Sequence, residues 1–316
     1  MMIRNEQTDN IPLGVTIIIG TVLMMALADA IIKFVSNELP LWQGFVIRST
    51  LALPVLLLLL CRSRLSKFDV GLARWVALRS LMLTLMYIAI YAAATVVALS
   101  IIAAALYTGP LFTTLFSGLI NRERVPLAAW LGVVCGFIGV LLIIKPTTDE
   151  FRPAMLIPMI AAILYALVAI ITRSKCQNVR PVVLATALNI CLVGFGLVAT
   201  GVLAVAGHLI SDYIHYPFLL GPWIEMGQRE WATMAILAVL IILIGIGLAK
   251  AYQSAPPATI ATFDYSYLLF AAFWGFVFFR EVPDALSVVG MVMIAGAGFL
   301  ATCIKPLRLA GNSIGR

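Results

Sequence analysis

Ten stretches of almost unbroken apolar residues, separated by short polar connections, set the rhythm of this chain. They run approximately from Gly14 to Val35, Leu41 to Cys61, Trp75 to Ala94, Leu99 to Ile120, Leu127 to Ile144, Pro153 to Thr172, Val182 to Gly207, Ala232 to Ala251, Ala258 to Phe279 and Ala285 to Ile304. About 20 apolar residues let a helix cross the hydrocarbon core of a bilayer, because the helix satisfies its own backbone N–H and C=O groups where no water can. The pattern therefore predicts an all-α integral membrane protein with ten transmembrane helices. Breaker residues mark the joins, at Pro40, Pro126, Pro181 and Pro256-Pro257. The first run follows a polar start (Arg4, Glu6, Asp9) without a small-residue cleavage site, and is expected to be retained as a helix. The one long connection, His208 to Glu230, is rich in Tyr, Trp and Pro, which suggests an interfacial lid or half-helix.

A duplication lies within this rhythm. Arg122-Glu123-Arg124-Val125-Pro126 and Arg280-Glu281-Val282-Pro283 each separate two apolar runs, and the runs that follow end in Lys145-Pro146 and Lys305-Pro306. Setting Glu123 over Glu281 also sets Tyr107 over Tyr265 and Gly132 over Gly290. The reading is two repeats, residues 14–146 and 153–306, with five helices each. Five is odd, so the second copy enters the membrane with opposite orientation. Inverted repeats around a midplane site are the usual plan of secondary transporters.

Composition agrees with lipid as the main solvent: 63% of residues are hydrophobic, 11% are charged and the mean hydropathy is +1.08. With the N-terminus inside, fourteen Lys and Arg residues fall on the cytoplasmic side and four on the other, which sets both termini in the cytoplasm of a bacterial-type inner membrane. The formal charge of +7 then follows from topology and is no argument for nucleic-acid binding. The five cysteines show no C-x-x-C spacing, and no metal or cofactor motif is visible.

The segment Ala104-Ala105-Leu106-Tyr107-x-Gly109-Pro110 followed by Glu123, and its counterpart Ala255-Pro256-Pro257-Ala258-Thr259-Ile260-Ala261-x-Phe263-Asp264-Tyr265 followed by Gly275 and Glu281-Val282-Pro283, resemble the EamA-type carriers of the drug/metabolite transporter superfamily. That resemblance implies ten helices as two inverted repeats around a central cavity, alternating access, and substrates from amino acids to nucleotide-like metabolites. Asp29-Ala30-x-x-Lys33, Leu39-Pro40-x-x-Gln43 and Arg48 are further similar to the branch with riboflavin and S-adenosylmethionine carriers.

Charges inside the apolar runs are the candidates for chemistry, since each costs roughly 2.5 to 3.5 kcal/mol at a helix centre and tends to face a cavity or a partner. Asp29 and Lys33 stand four residues apart on one helical face, as a structural ion pair or a gating and coupling pair. Arg48 either snorkels outward or faces the cavity, where its planar fork suits a carboxylate or phosphate. Arg79 and Lys250 lie near the inner surface and are expected to snorkel. Asp264 stands seven residues into its run, as a bond to a neighbouring helix or as a site for a proton or cationic group. Tyr107 and Tyr265, paired by the repeat, head a set of aromatics suited to a planar ring or an amine, although most such residues are ordinary core. Gly109-Pro110 and Pro54 are expected to interrupt their helices. Gly132, Gly136 and Gly139 offer a close-packing face, used within the monomer or in a homodimer.

A membrane enzyme would gather ligands or a nucleophile with its base at one depth, and the two histidines, His208 and His215, both lie in the long outer connection. A channel would repeat pore-lining elements. No Walker-type phosphate loop is present. The sequence therefore points to a secondary transporter of a small polar metabolite, with Asp29, Lys33, Arg48, Tyr107, Asp264 and Tyr265 in its substrate or coupling site. The alternatives are an exporter of amino acids or toxic compounds and a nontransporting membrane partner protein.

Overall fold

In the computed structural model the described residues are 9–35, 39–62, 70–94, 106–120, 125–144, 156–206, 217–280 and 284–303, and all of their regular structure is helical. The helices are α1 (Ile11–Val35), α2 (Leu41–Cys61), α3 (Val70–Ala94), α4 (Gly109–Leu119), α5 (Leu127–Ile144), α6 (Ile157–Ser174), α7 (Pro181–Ala206), α8 (Pro217–Leu220), α9 (Gln228–Ser254), α10 (Pro257–Asp264), α11 (Ser266–Phe279) and α12 (Ala285–Cys303). Among the described residues seven spans are long and apolar enough to cross a membrane, the pair α10–α11 counting as one, and Ala129–Leu142 and Ala285–Ala297 are shorter apolar helices. The Glu123, Glu281, Lys145-Pro146 and Lys305-Pro306 motifs lie outside the described residues.

Burial is the reverse of a water-soluble protein. Large aliphatic side chains such as Leu58, Val198, Val205 and Val292 cover the outside, while Arg48, Arg79, Asn189, Gln253 and Asp264 are buried. That distribution is what a bundle solvated by lipid requires, because lipid accepts Leu and Val but not polar groups. The chain is a multi-pass membrane protein.

The helices pack in a reciprocal pattern. α2 packs on α7, α5 on α12 and α4 on α10; α1 meets α9 as α3 meets α6; α1 meets α11 as α4 meets α6; and α2 meets α9 as α3 meets α7. Close approach of α5 to α12 depends on Gly139, where an added Cβ would lie 3.1 Å from Cγ1 of Ile294 and 3.2 Å from Cβ of Met293. The glycine face of α5 is thus used within the monomer.

Three expectations change. The ninth apolar run is not one helix: it stops at Asp264 and restarts at Ser266, with Tyr265 in the turn. Pro54 does not interrupt α2, which continues from Leu41 to Cys61; its ring lies on the exposed side of the helix, away from the core. Arg79 does not snorkel. It is 2% exposed, and its Nε donates to Thr172 Oγ1 at 2.7 Å, so a hydroxyl acceptor on α6 holds it inside the bundle. Lys250 is exposed, as expected of an anchor.

Candidate functional site

The repeat-matched tyrosines meet at two helix breaks. Tyr107-Thr108 forms the turn before α4, where Gly109 and Pro110 begin a new helix, and Tyr265 is the turn between α10 and α11. A break in a membrane helix frees carbonyls that must find donors. Tyr265 Oη donates to the carbonyl oxygen of Tyr107 at 3.3 Å, and the two rings lie 6.2 Å apart. Tyr265 is fully buried among Val140, Leu268 and Ile294, seated against Gly136, where a Cβ would come within 2.6 Å of its Cε2. Only glycine admits the ring there.

Two carboxylates flank this tyrosine layer in different surroundings. Asp264, 7% exposed, accepts on Oδ2 from Tyr252 Oη at 2.7 Å and from Tyr165 Oη at 3.0 Å, while its buried Oδ1 has no hydrogen-bond partner among the described residues. Asp29 is exposed at the surface of the bundle, and its Oδ2 accepts from Tyr267 Oη at 2.6 Å. Tyr267 packs on Tyr107 with centroids 5.9 Å apart, which links the two halves of the cluster. Lys33 follows Asp29 by one turn in α1, and its side chain lies outside the described part of the structure.

Arg48 completes the polar centre from α2. It is 9% exposed, with Nε and Nη2 buried and without hydrogen-bond partners among the described residues, and its guanidinium lies 5.7 Å from the Phe45 ring centroid. A cavity of about 60 Å³ lies beside it, lined by Leu39, Gly44, Phe45, Tyr91, Phe218 and Leu237 among others. Phe218 arrives from α8, whose segment is tied to the start of α2: Trp42 Nε1 donates to the Leu219 carbonyl at 2.7 Å, and the Gln43 amide exchanges two hydrogen bonds with the backbone of Ile224 at 2.8 and 3.0 Å. The connection expected to form a lid or half-helix does contribute a short helix over this cavity.

The opposite end of the bundle is sealed by a polar latch. Gln253 Nε2 donates to the carbonyls of Cys176 and Val179, both at 2.7 Å, and Arg173 donates to the Gln253 carbonyl at 3.0 Å while pairing with Asp9. The Asn10 amide donates to the Ser254 carbonyl at 2.9 Å. Sequence reasoning passed over Tyr165, Thr172, Gln253 and Trp42, and met Gln43 only as part of a motif; a lone polar residue within an aliphatic run, as at Tyr165 and Thr172, was the available signal.

Comparison with known proteins bears on this architecture. Residues 12–145 match the model of the EamA-like transporter family. The match spans fewer than half of the residues of the chain. The EamA resemblance expected from Tyr107, Gly109-Pro110 and Asp264-Tyr265 is borne out. A riboflavin transporter of Vibrio cholerae is 28% identical over 60% of this chain and 58% of its own length. An S-adenosylmethionine uptake transporter of Rickettsia prowazekii is 27% identical over 60% of this chain and 58% of its own. The chain thus aligns with somewhat more than half of the length of these two relatives. A pseudopaline exporter of Pseudomonas aeruginosa is 23% identical over 90% of this chain and 94% of that protein. One solved structure superposes with a TM-score of 0.71 at 16% identity, covering 92% of this chain and 96% of the other, a likeness of fold alone.

Proposed function

We propose that this EamA-type protein is a secondary transporter that moves a small polar metabolite across a bacterial inner membrane by alternating access, and that it is not an enzyme. The observation that carries the reading is the meeting of two broken helices, at Tyr107 and Tyr265, beside buried and cavity-facing charges. Discontinuous helices at a repeat interface are where transporters bind substrate and coupling ions. The names of the relatives, transporters of riboflavin, S-adenosylmethionine and pseudopaline, support a small-metabolite substrate.

The two inverted repeats, 14–146 and 153–306, are part of this proposal, with ten spans and both termini cytoplasmic. Two contacts support them. Tyr265 touches Tyr107, and Cys135 Sγ lies 3.9 Å from the Met293 carbonyl; both pairs are separated by 158 residues, the offset that superimposes Glu123 on Glu281. In a pair of copies related by a twofold axis, residues touch their own counterparts only near that axis. The reciprocal helix contacts fall into place under the same exchange.

In this reading Arg48 holds an anionic group of the substrate, Asp29 with Lys33 gates or binds its cationic part, and Tyr107 and Tyr265 shape the centre. A guanidinium with two partnerless buried nitrogens beside a cavity favours a carboxylate or phosphate. The test is uptake and counterflow in proteoliposomes with labelled riboflavin, S-adenosylmethionine and an amino-acid mixture. Saturable flux of one compound, abolished by Arg48→Ala, is expected; absence of flux for all of them in both directions would overturn the proposal.

A further inference from the structure

We propose that Asp264 is a proton site separate from the substrate charges, with the proton on Oδ1, and that its loading is read out at the Gln253 latch. The coupling part of this inference rests on the transport reading above; the site itself does not. The argument starts from an imbalance in the clamp. Both phenols, Tyr252 and Tyr165, donate to Oδ2, and Oδ1 is buried without a donor. An ionised carboxylate buried among neutral groups is expensive without a counter-charge.

Among the described residues no cation is hydrogen-bonded to it, its two donors being phenols. The titratable groups that face Asp264 are Tyr252 on α9, Tyr165 on α6, Tyr265 in the break and Tyr107 before α4. A metal cation needs several oxygen ligands, whereas a proton needs one oxygen and leaves Oδ2 accepting from both phenols. Asp29 differs, being exposed at the surface of the bundle and bonded to the Tyr267 phenol.

The position of Asp264 makes its charge mechanically consequential. It ends α10 at the break, so any change in the angle between α10 and α11 carries the carboxyl relative to Tyr165 and Tyr252. Tyr252 precedes Gln253, whose side chain closes the loop carbonyls of Cys176 and Val179. Strengthening or releasing the clamp therefore acts on the residue beside the latch.

Infrared difference spectroscopy of the purified protein on acidification, in sodium and in potassium buffers, reads this without a substrate. A buried carboxylic-acid carbonyl band is expected, lost in Asp264→Asn, kept in Asp29→Asn, shifted in Tyr252→Phe and the same in both salts. A band indifferent to both Asp264→Asn and Tyr252→Phe, or one abolished by sodium at fixed pH, would overturn the proposal. If Asp264→Asn does not fold, the Tyr252→Phe shift decides alone. Failure of the transport reading is separately visible as absence of riboflavin, S-adenosylmethionine or amino-acid flux with the band intact, and flux of one of these that ignores an imposed pH gradient would overturn the coupling part.

Discussion

Replacing Gly136 with alanine should destabilise the protein, whereas the same replacement at Gly201 should not. In a helix interior Gly→Ala is ordinarily worth about 1 kcal/mol of added stability, through lost backbone freedom in the unfolded chain. Nothing lies within 4 Å of a Cβ built on Gly201, so that gain stands there. At Gly136 the new methyl would meet the Tyr265 ring, 2.6 Å from Cε2 and 3.3 Å from Cγ. The ring cannot retreat, because it is fully buried against Val140, Leu268 and Ile294 and its hydroxyl is bonded to the Tyr107 carbonyl. Overpacking of this kind costs up to about 3 kcal/mol, which after the helix gain leaves a net loss of about 2 kcal/mol. Unfolding in mixed micelles, followed by thiol-dye labelling of the buried Cys176, measures it. The decisive variant is the double one: in a Tyr265→Ala background the Gly136→Ala penalty should vanish. An equal penalty with and without the ring, or a loss at Gly201 as large as at Gly136, would refute the steric account.

Other substitutions test the polar interior. Thr172→Val removes the hydroxyl acceptor of the buried Arg79 guanidinium and should cost about 1.5 to 3 kcal/mol in the same unfolding assay, hydrogen bonds to charged groups being the stronger kind. Arg48→Ala should abolish transport while leaving the protein as stable or about 1 to 3 kcal/mol more so, since it removes buried donors that have no partners; micellar unfolding beside flux separates the two effects. Gln253→Leu should speed thiol labelling of Cys176 in the folded protein several-fold by unfastening the loop carbonyls, and unchanged labelling would count against the latch. Gln43→Leu should raise protease sensitivity around Ile224, because it removes both bonds between the Ile224 backbone and α2.

Much of the architecture was legible because lipid imposes a simple rule: apolar runs of membrane length become helices, and α1, α2, α6, α7 and α9 lie where those runs fall. The break before α4 was announced by Gly109-Pro110. The break at Tyr265 was not, since Phe263-Asp264-Tyr265-Ser266 contains neither glycine nor proline; partners distant in sequence accompany it, two phenols on Asp264 and the Gly136 seat under Tyr265. Arg79 misled for a related reason. Its distance from the helix end fits a snorkelling side chain, and only the arrival of Thr172 from α6 makes burial affordable. Asp264 and Arg48 stood out as charges in apolar surroundings, but their contrasting company, hydroxyls for one and an aromatic face for the other, comes from helices far away in the chain.

The residues just ahead of α1 are fastened to the ends of α6 and α9 through Asp9, Asn10, Arg173 and Ser254. Asp9 and Asn10 thereby join the polar contacts that hold that end of the bundle together. In the proposed transport cycle this fastening has to let go, so an affinity tag or fluorescent fusion joined ahead of Asp9 would record, and disturb, the very motion it is meant to leave alone.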